Sequence, residues 1–253
     1  MHTIDLNADL GEGFGHWRAA DDDAILPLVS SASIACGFHA GDPLTMRHTV
    51  ATAGRLGVTV GAHPGYPDLL GFGRRELAAA PAEVTAYVLY QLGALAAICR
   101  SENVPLRYVK PHGALYNRAA THAPTAAAIA TAIHRFDPSL TLLGLANSQL
   151  VIQAAALGLA TASEAFADRR YEPDGTLVPR TEPDAVLTDP SAVAHQALTL
   201  ARDGTVTARD GSVLTIRPDS LCLHSDTPDA PTLLAAIHAR LAADDIAISA
   251  FAH

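Results

Sequence analysis

A single lysine, Lys110, stands against sixteen arginines, and cysteine (three), methionine (two) and tryptophan (one) are nearly as scarce. The cysteines, Cys36, Cys99 and Cys222, are odd in number, far apart and form no Cys-x-x-Cys pair. That argues against a disulfide framework, a cysteine zinc site or a dithiol redox centre. Basic runs are missing as well. With a formal net charge of −9, the chain has no cationic stripe to release counterions from a phosphate backbone, so no nucleic-acid partner is expected. No stretch is read as approaching the roughly eighteen apolar residues of a spanning helix, and the N-terminus lacks the basic and apolar regions of a signal peptide. The expectation is a cytoplasmic chain with no membrane partner.

What is present is 49% hydrophobic residues in 253, enough for one large core, and a single domain over residues 1–253 is expected. Short apolar runs lie at 3–8, 33–35, 58–61, 106–109, 141–145, 159–163, 220–223 and 246–250. Ala-rich segments of helical period lie at 20–29, 44–56, 82–101, 124–136, 149–157, 192–201 and 231–243. Strand and helix therefore alternate, which implies a parallel sheet with right-handed crossovers. Seven or eight units in this length suit a closed α/β barrel, with an open doubly wound sheet as the competing arrangement. Residues 204–216 break the rhythm and read as a β-hairpin insertion turning at Asp210-Gly211. The long Gly/Pro loop from His63 to Arg75 is a candidate lid.

In the first strand Asp5, Asn7 and Asp9 alternate with Ile4, Leu6 and Ala8, placing three polar side chains on one face. A solvent-facing edge strand would explain them, but a first strand in a parallel fold is usually covered on both sides, which favours a functional role. Leu10-Gly-Glu-Gly-Phe-Gly15 follows, adding Glu12 on a backbone that a ligand can approach closely; it is not the Gly-x-Gly-x-x-Gly dinucleotide pattern. Later strands deliver His39 with Asp42, then His63, then Lys110-Pro-His112 with Tyr116. After these come Glu164 with Asp168 and Arg169, and finally His224 with Asp226. Lone histidines are mostly structural, yet four placed just past strands converge on the rim where parallel α/β folds bind ligands. Where Arg has taken almost every basic position, the surviving Lys110 marks a site that needs a compact, tunable ammonium, unless its placement is chance. Arg74 and Arg75 could fork onto a carboxylate or phosphate or simply be solvated. Cys36 reads as a small hydrophobe before it reads as a nucleophile. His48, His134, His195 and His238 lie on helices and are assigned no role.

Six ordered motifs together resemble the LamB/YcsF family. They are Asp5-Leu-Asn-Ala-Asp-Leu-Gly-Glu12, Ile34-Ala-Cys-Gly-Phe-His-Ala-Gly-Asp42, Gly61-Ala-His-Pro-Gly-Tyr-Pro-Asp68, Gly71-Phe-Gly-Arg-Arg75, Lys110-Pro-His-Gly-Ala-Leu-Tyr-Asn117 and Phe166-Ala-Asp-Arg-Arg-Tyr171. The resemblance covers nearly the whole chain and implies a distorted (β/α)7–8 barrel of the glycoside hydrolase/deacetylase type. It also implies the role of A subunit in the bacterial ATP-dependent 5-oxoprolinase, which hydrolyses the cyclic amide 5-oxo-L-proline (pyroglutamate) to L-glutamate. Three positions depart from the family pattern: Ala8 replaces Cys, Ser33 replaces Asn, and Ser225 replaces Gly in a His-Gly-Asp motif. Ala8 rules out a catalytic thiol there.

No Gly-x-x-x-x-Gly-Lys-Ser/Thr phosphate loop is present. ATP is accordingly expected to bind mainly on partner subunits B and C, with a small lactam as substrate. The catalytic candidates are Asp9, Glu12, His39, His63, Lys110, His112 and Asp168. Candidates for substrate binding are Asn7, Asp42, Arg74, Arg75, Tyr116, Glu164, Arg169, His224 and Asp226. A divalent metal, if bound, would take Asp9, His39 and His63, which would suit a metal-dependent amidase or deacetylase acting on another small amide. A non-catalytic lactam carrier is the third reading.

Overall fold

The computed structural model describes residues 2–252. Its first strand, β1 (His2–Leu10), uses its period of two as the sequence suggests. Ile4, Leu6, Ala8 and Leu10 join the apolar core, while Asp5, Asn7 and Asp9 are equally buried but hydrogen-bonded to polar groups of other strands. Beside β1 lies β2 (Ser31–Ala35), followed round the sheet by β3 (Thr59–His63), β4 (Leu106–Val109), β5 (Thr141–Leu145) and β6 (Thr161–Phe166), every neighbouring pair parallel. The hairpin is β7 (Thr205–Thr207) with β8 (Val213–Thr215), antiparallel and in the expected register, Val206 opposite Leu214. Strand β9 (Ser220–Cys222) then pairs with β6 on one side and with β1 on the other. That second pairing closes a seven-stranded ring and excludes the open doubly wound sheet. Strand β10 (Ile246–Ile248) pairs only with His2–Ile4 at the bottom of β1, below the point where β9 takes over, so it is an appendage and not an eighth stave.

Helices α1 (Asp22–Ile25), α2 (Pro43–Leu56), α3 (Pro81–Ser101), α4 (Gly113–Thr121), α5 (Ala123–Phe136), α6 (Gln149–Ala156), α7 (Pro190–Leu198) and α8 (Ala230–Ala243) cover the ring. Asp42, Ser148 and Asp189 cap α2, α6 and α7 by accepting from first-turn amides, and Pro at the first turn fixes the entry of most of the others. Helix α3 corrects one expectation: its 21 residues are long and apolar enough, by length and composition, to cross a membrane. Val84, Val88, Leu92 and Leu95 nevertheless bury in the protein's own core, so the apolarity of this helix serves packing.

The interior of the ring is polar. Asp5 accepts hydrogen bonds from the hydroxyls of Ser30 and Ser31 (2.6 Å each) and Ser220, and Ser33 meets the Tyr108 hydroxyl at 3.0 Å. Barrel cores of this type usually fill with branched apolar side chains. Here a hydrogen-bonded column instead runs up β1 from Asp5 through Asn7 to Asp9, linking the bottom of the barrel to its C-terminal rim.

Candidate active site

Lys110 directly follows β4 and folds inward over the top of that column. Its ammonium, 2% exposed, lies 2.8 Å from Asp9 Oδ1, 2.7 Å from Glu164 Oε1, 3.0 Å from Asn7 Oδ1 and 3.1 Å from Cys222 Sγ. Burial works against the charged amine, but Asp9, Cys222 and Glu164 lift its pKa well above the ordinary lysine value. Three N–H bonds are thereby fully committed. Lys110 acts as a fixed counter-ion holding two carboxylates, not as a free donor to substrate. Burial alone would push the Asp9 carboxyl up; the neighbouring His63 and the Lys110 ammonium outweigh it and hold Asp9 well below the usual carboxylate range. Glu164 also accepts from Asn7 Nδ2 (2.9 Å) and the Tyr116 hydroxyl (2.7 Å), which fixes its orientation.

Three imidazoles crowd around Glu12, all buried. Glu12 Oε1 is 3.0 Å from His39 Nε2, 3.2 Å from His112 Nδ1 and 3.8 Å from His63 Nε2, and the rings of His39 and His112 stack with centroids 3.7 Å apart. Backbone carbonyls fix two of the tautomers. His63 Nδ1 donates to the Lys110 carbonyl at 2.7 Å and His112 Nε2 to that of Phe72 at 2.8 Å, so each neutral ring keeps its proton on the outer nitrogen. The inner nitrogens, His63 Nε2 and His112 Nδ1, face each other at 2.9 Å. Among the described residues His39 Nδ1 has no hydrogen-bond partner, and burial together with His112 lowers the His39 pKa to about 3, so this ring is neutral. One donor atom from each of Glu12, His39, His63 and His112 lies within 4.8 Å of the others, a grouping that could hold a metal ion. It differs from the expected trio by including Glu12 and His112 in place of Asp9, which reaches the cluster through His63 Nε2 at 3.3 Å.

On the opposite wall, Asp168 is fully buried and receives His224 Nδ1 (3.0 Å), the His224 amide (3.2 Å) and the Thr227 hydroxyl (2.7 Å). Burial opposes its ionisation, but the His224 charge and these hydrogen bonds bring its pKa down to about 2. With Nδ1 taken by Asp168, His224 keeps Nε2 for the cavity that it lines. That cavity, about 500 Å³, is floored by Asp9, His63, Lys110 and His112 and walled by Arg74, Arg169 and Arg180. A second hollow of about 330 Å³ reaches Glu12 and His39 from the side and shares Arg74.

The candidate lid closes over the histidines. Gly73 has φ +63°, and a Cβ there would stand 2.7 Å from His39 Cβ and 2.8 Å from His112 Cδ2, so only glycine permits this approach. Arg74 leaves the loop to pair with Asp226 at 2.7 Å, and Ala114 donates to the Gly73 carbonyl. Four expected substrate contacts lie elsewhere. Asn7 and Glu164 are buried against Lys110 and line neither hollow. Asp42 spends its carboxylate on the α2 cap and the Gly15 amide, and Arg75 pairs outward with Asp68. Arg169 lines the cavity while two of its nitrogens bind the Ala185 and Val178 carbonyls. Cys36 donates to the Ile34 carbonyl, and burial pushes its thiol far up, as befits a packing residue.

The sequence profile of the LamB/YcsF family matches residues 4–253. The chain belongs to the LamB/YcsF family. The 5-oxoprolinase A subunit of Methylococcus capsulatus (strain Bath) is 54% identical over 248 residues, 98% of this chain and 95% of that protein. The corresponding 5-oxoprolinase A subunit of Geobacillus thermodenitrificans is 51% identical over 250 residues, 99% and 97% of the two chains. The crystal structure of a lactam utilization protein from Thermus thermophilus shares 46% identity and a TM-score of 0.93, covering 98% of this chain and 100% of that one. Two of the three departures from the LamB/YcsF pattern have local explanations, and Ser225 has none. Ala8 packs in the apolar core and Ser33 bonds Tyr108, while the hydroxyl of Ser225 is buried without a partner.

Several members of this LamB/YcsF site escaped the sequence reading. Cys222 looked structural but touches Lys110; Ser220 and Thr227 orient Asp5 and Asp168; Arg180 sits in a long loop with no motif around it. Only the placement of Cys222 and Ser220 on the strand preceding His224 offered a signal.

Proposed function

We propose that this chain is the A subunit of an ATP-dependent 5-oxoprolinase and carries the ring-opening step on 5-oxo-L-proline. The observation that bears most weight is full-length identity of about half to proteins of that name, in a chain whose cavity gathers acid, base and cation in one place. Opening the lactam breaks the ring C–N bond; water supplies the hydroxyl to the carbonyl carbon and a proton to the departing nitrogen. A resonance-stabilised amide resists this, and ATP drives it. The sequence has no phosphate loop, so ATP is handled on subunits B and C and the lactam reaches this cavity phosphorylated on its carbonyl oxygen; ring opening then leaves an acyl phosphate, which a second water cleaves to glutamate and inorganic phosphate.

Each residue then has a defined task. The guanidinium groups of Arg74, Arg169 and Arg180 hold the substrate carboxylate or the added phosphate, which fixes the ring over the floor. Asp9, kept ionised by Lys110 and His63, takes the proton from the attacking water. His224, steered by Asp168, delivers a proton to the ring nitrogen on the far side. Asn7, Tyr116 and Glu164 lock Lys110 in place and thereby set Asp9. Strands far apart in the chain act together, since β1 supplies Asp9 to the floor and β9 supplies Cys222, which touches Lys110. The test is glutamate release from 5-oxoproline and ATP by this chain alone and with its B and C partners. Release in the complete mixture alone is expected, and no release in any mixture overturns the assignment.

A further inference from the structure

We infer that Glu12, His63 and His112 form a binding site for a divalent transition metal of the zinc type, with His39 steering Glu12. Lys110 O and Phe72 O can only accept, so the protons of His63 and His112 sit on their outer nitrogens. That leaves two bare lone pairs facing each other at 2.9 Å, with the Glu12 carboxylate oxygen 3.2 Å from one and 3.8 Å from the other. Three acceptors aimed at one point in a buried space repel one another unless a cation lies between them.

The spacing suits a metal ion. Two nitrogens tetrahedrally disposed about zinc, each about 2.0–2.1 Å from it, lie roughly 3.3 Å apart. The three separations between these acceptors, 2.9, 3.2 and 3.8 Å, straddle that value. Both histidines already hold the outer-shell bond to a carbonyl that metal-ligating imidazoles characteristically make. His39 differs. Its Nδ1 has no acceptor, so its proton belongs on Nε2, donated to Glu12 at 3.0 Å. It is therefore a positioning residue for the carboxylate. A two-histidine, one-carboxylate set leaves a coordination position free, and both hollows reach the cluster, one touching Glu12 and the other His63 and His112. The inference stands independently of the oxoprolinase assignment, because it concerns binding alone.

The experiment is zinc titration of the chelator-stripped full chain by calorimetry, with metal content by mass spectrometry and melting temperature as a second readout. One zinc per chain and a raised melting temperature are expected. His63→Gln and His112→Gln should each weaken binding at least a hundredfold, while His48→Gln, on the exposed face of α2 beside Asp23, leaves it unchanged. Absence of bound zinc and of any melting shift in the unmutated chain overturns the site and points to a shared proton between the rings. Unchanged affinity in both histidine variants overturns it equally. If those variants fail to fold, cobalt(II) binding to the unmutated chain decides. Intense visible absorption of a low-coordinate site supports the inference, and the pale spectrum of the hydrated ion refutes it.

Discussion

Lys110 and Glu164 meet at 2.7 Å in the cavity floor, and neither side chain is more than 2% exposed. Removing the amine strands Glu164 and Asp9 as unpaired buried carboxylates. Lys110→Met is expected to cost roughly 3–5 kcal/mol of stability and to abolish turnover. Lys110→Arg should not rescue either, because the planar guanidinium cannot reproduce the compact contacts to Asn7, Asp9, Glu164 and Cys222. Urea unfolding and glutamate release check both; an active, stable Lys110→Arg variant contradicts the argument.

Asp5, at the foot of the polar column, has its carboxyl raised from 3.8 to about 6, chiefly by burial and in spite of its three serine donors. The folded state therefore retains a proton that the unfolded chain releases near pH 4. The contribution of Asp5 is neutral below that pH and grows destabilising as the pH rises through 6, by up to roughly 3 kcal/mol. Asp5→Asn should lose this dependence. Subtracting its unfolding free energies from those of the unmutated chain between pH 4 and 7 isolates the effect, and a flat difference refutes it.

Asp168 runs the other way. Its folded-state pKa, near 2, lies below the unfolded value of 3.8, so the bond to His224 stabilises the protein above about pH 4 and is lost as the pH falls through 2. Asp168→Asn is expected to be less stable by roughly 2 kcal/mol at neutral pH, with the gap closing in acid. Turnover should drop with it, since His224 loses its orientation. Equal acid-unfolding midpoints for the two proteins count against this.

Arg180 has one buried nitrogen without a hydrogen-bond partner, 3.6 Å from Asp226 Oδ1. In the proposed function a substrate anion supplies that bond. Arg180→Met is expected to raise KM by roughly 10–100-fold, the worth of one or two charge-assisted bonds, with little change in melting temperature. Unchanged KM in steady-state assays removes Arg180 from the substrate wall.

Gly73→Ala should be damaging out of proportion to one methyl group. The backbone there is left-handed, and the new carbon runs into His39 and His112. A loss of roughly 1–3 kcal/mol is expected from overpacking, together with weaker turnover. Thermal unfolding and kinetics of this variant, compared with Gly175→Ala in an open loop, separate the clash from the backbone cost.

Much of the site was legible because strand periodicity and chemistry coincide. The alternation in β1 announces Asp5, Asn7 and Asp9, and each histidine past a strand end falls on the rim that the barrel brings together. Boundaries were harder. The apolar run at 159–163 begins before β6 does, because Leu159 packs in the core as part of a loop. Helix α4 hid inside the Lys110–Asn117 motif, whose residues read as chemistry and not as a helix entry. Arg180 and the Phe72 carbonyl could not be found at all: one sits in a loop, and the other acts through a backbone atom that every residue has. The expectation that no stretch approaches a spanning helix did not hold at α3, since hydropathy does not distinguish a core helix from a spanning one.

The ring closes where β9 meets β1, pairing Asp5 with Ser220 and Asn7 with Cys222. A chain growing from its N-terminus thus carries Asp5 and Asn7 through most of synthesis with their last partners still unmade. The ring is completed only when residues more than 200 positions apart come together. A chain truncated before β9 lacks Ser220 and Cys222, and with them contacts of Asn7 and Lys110.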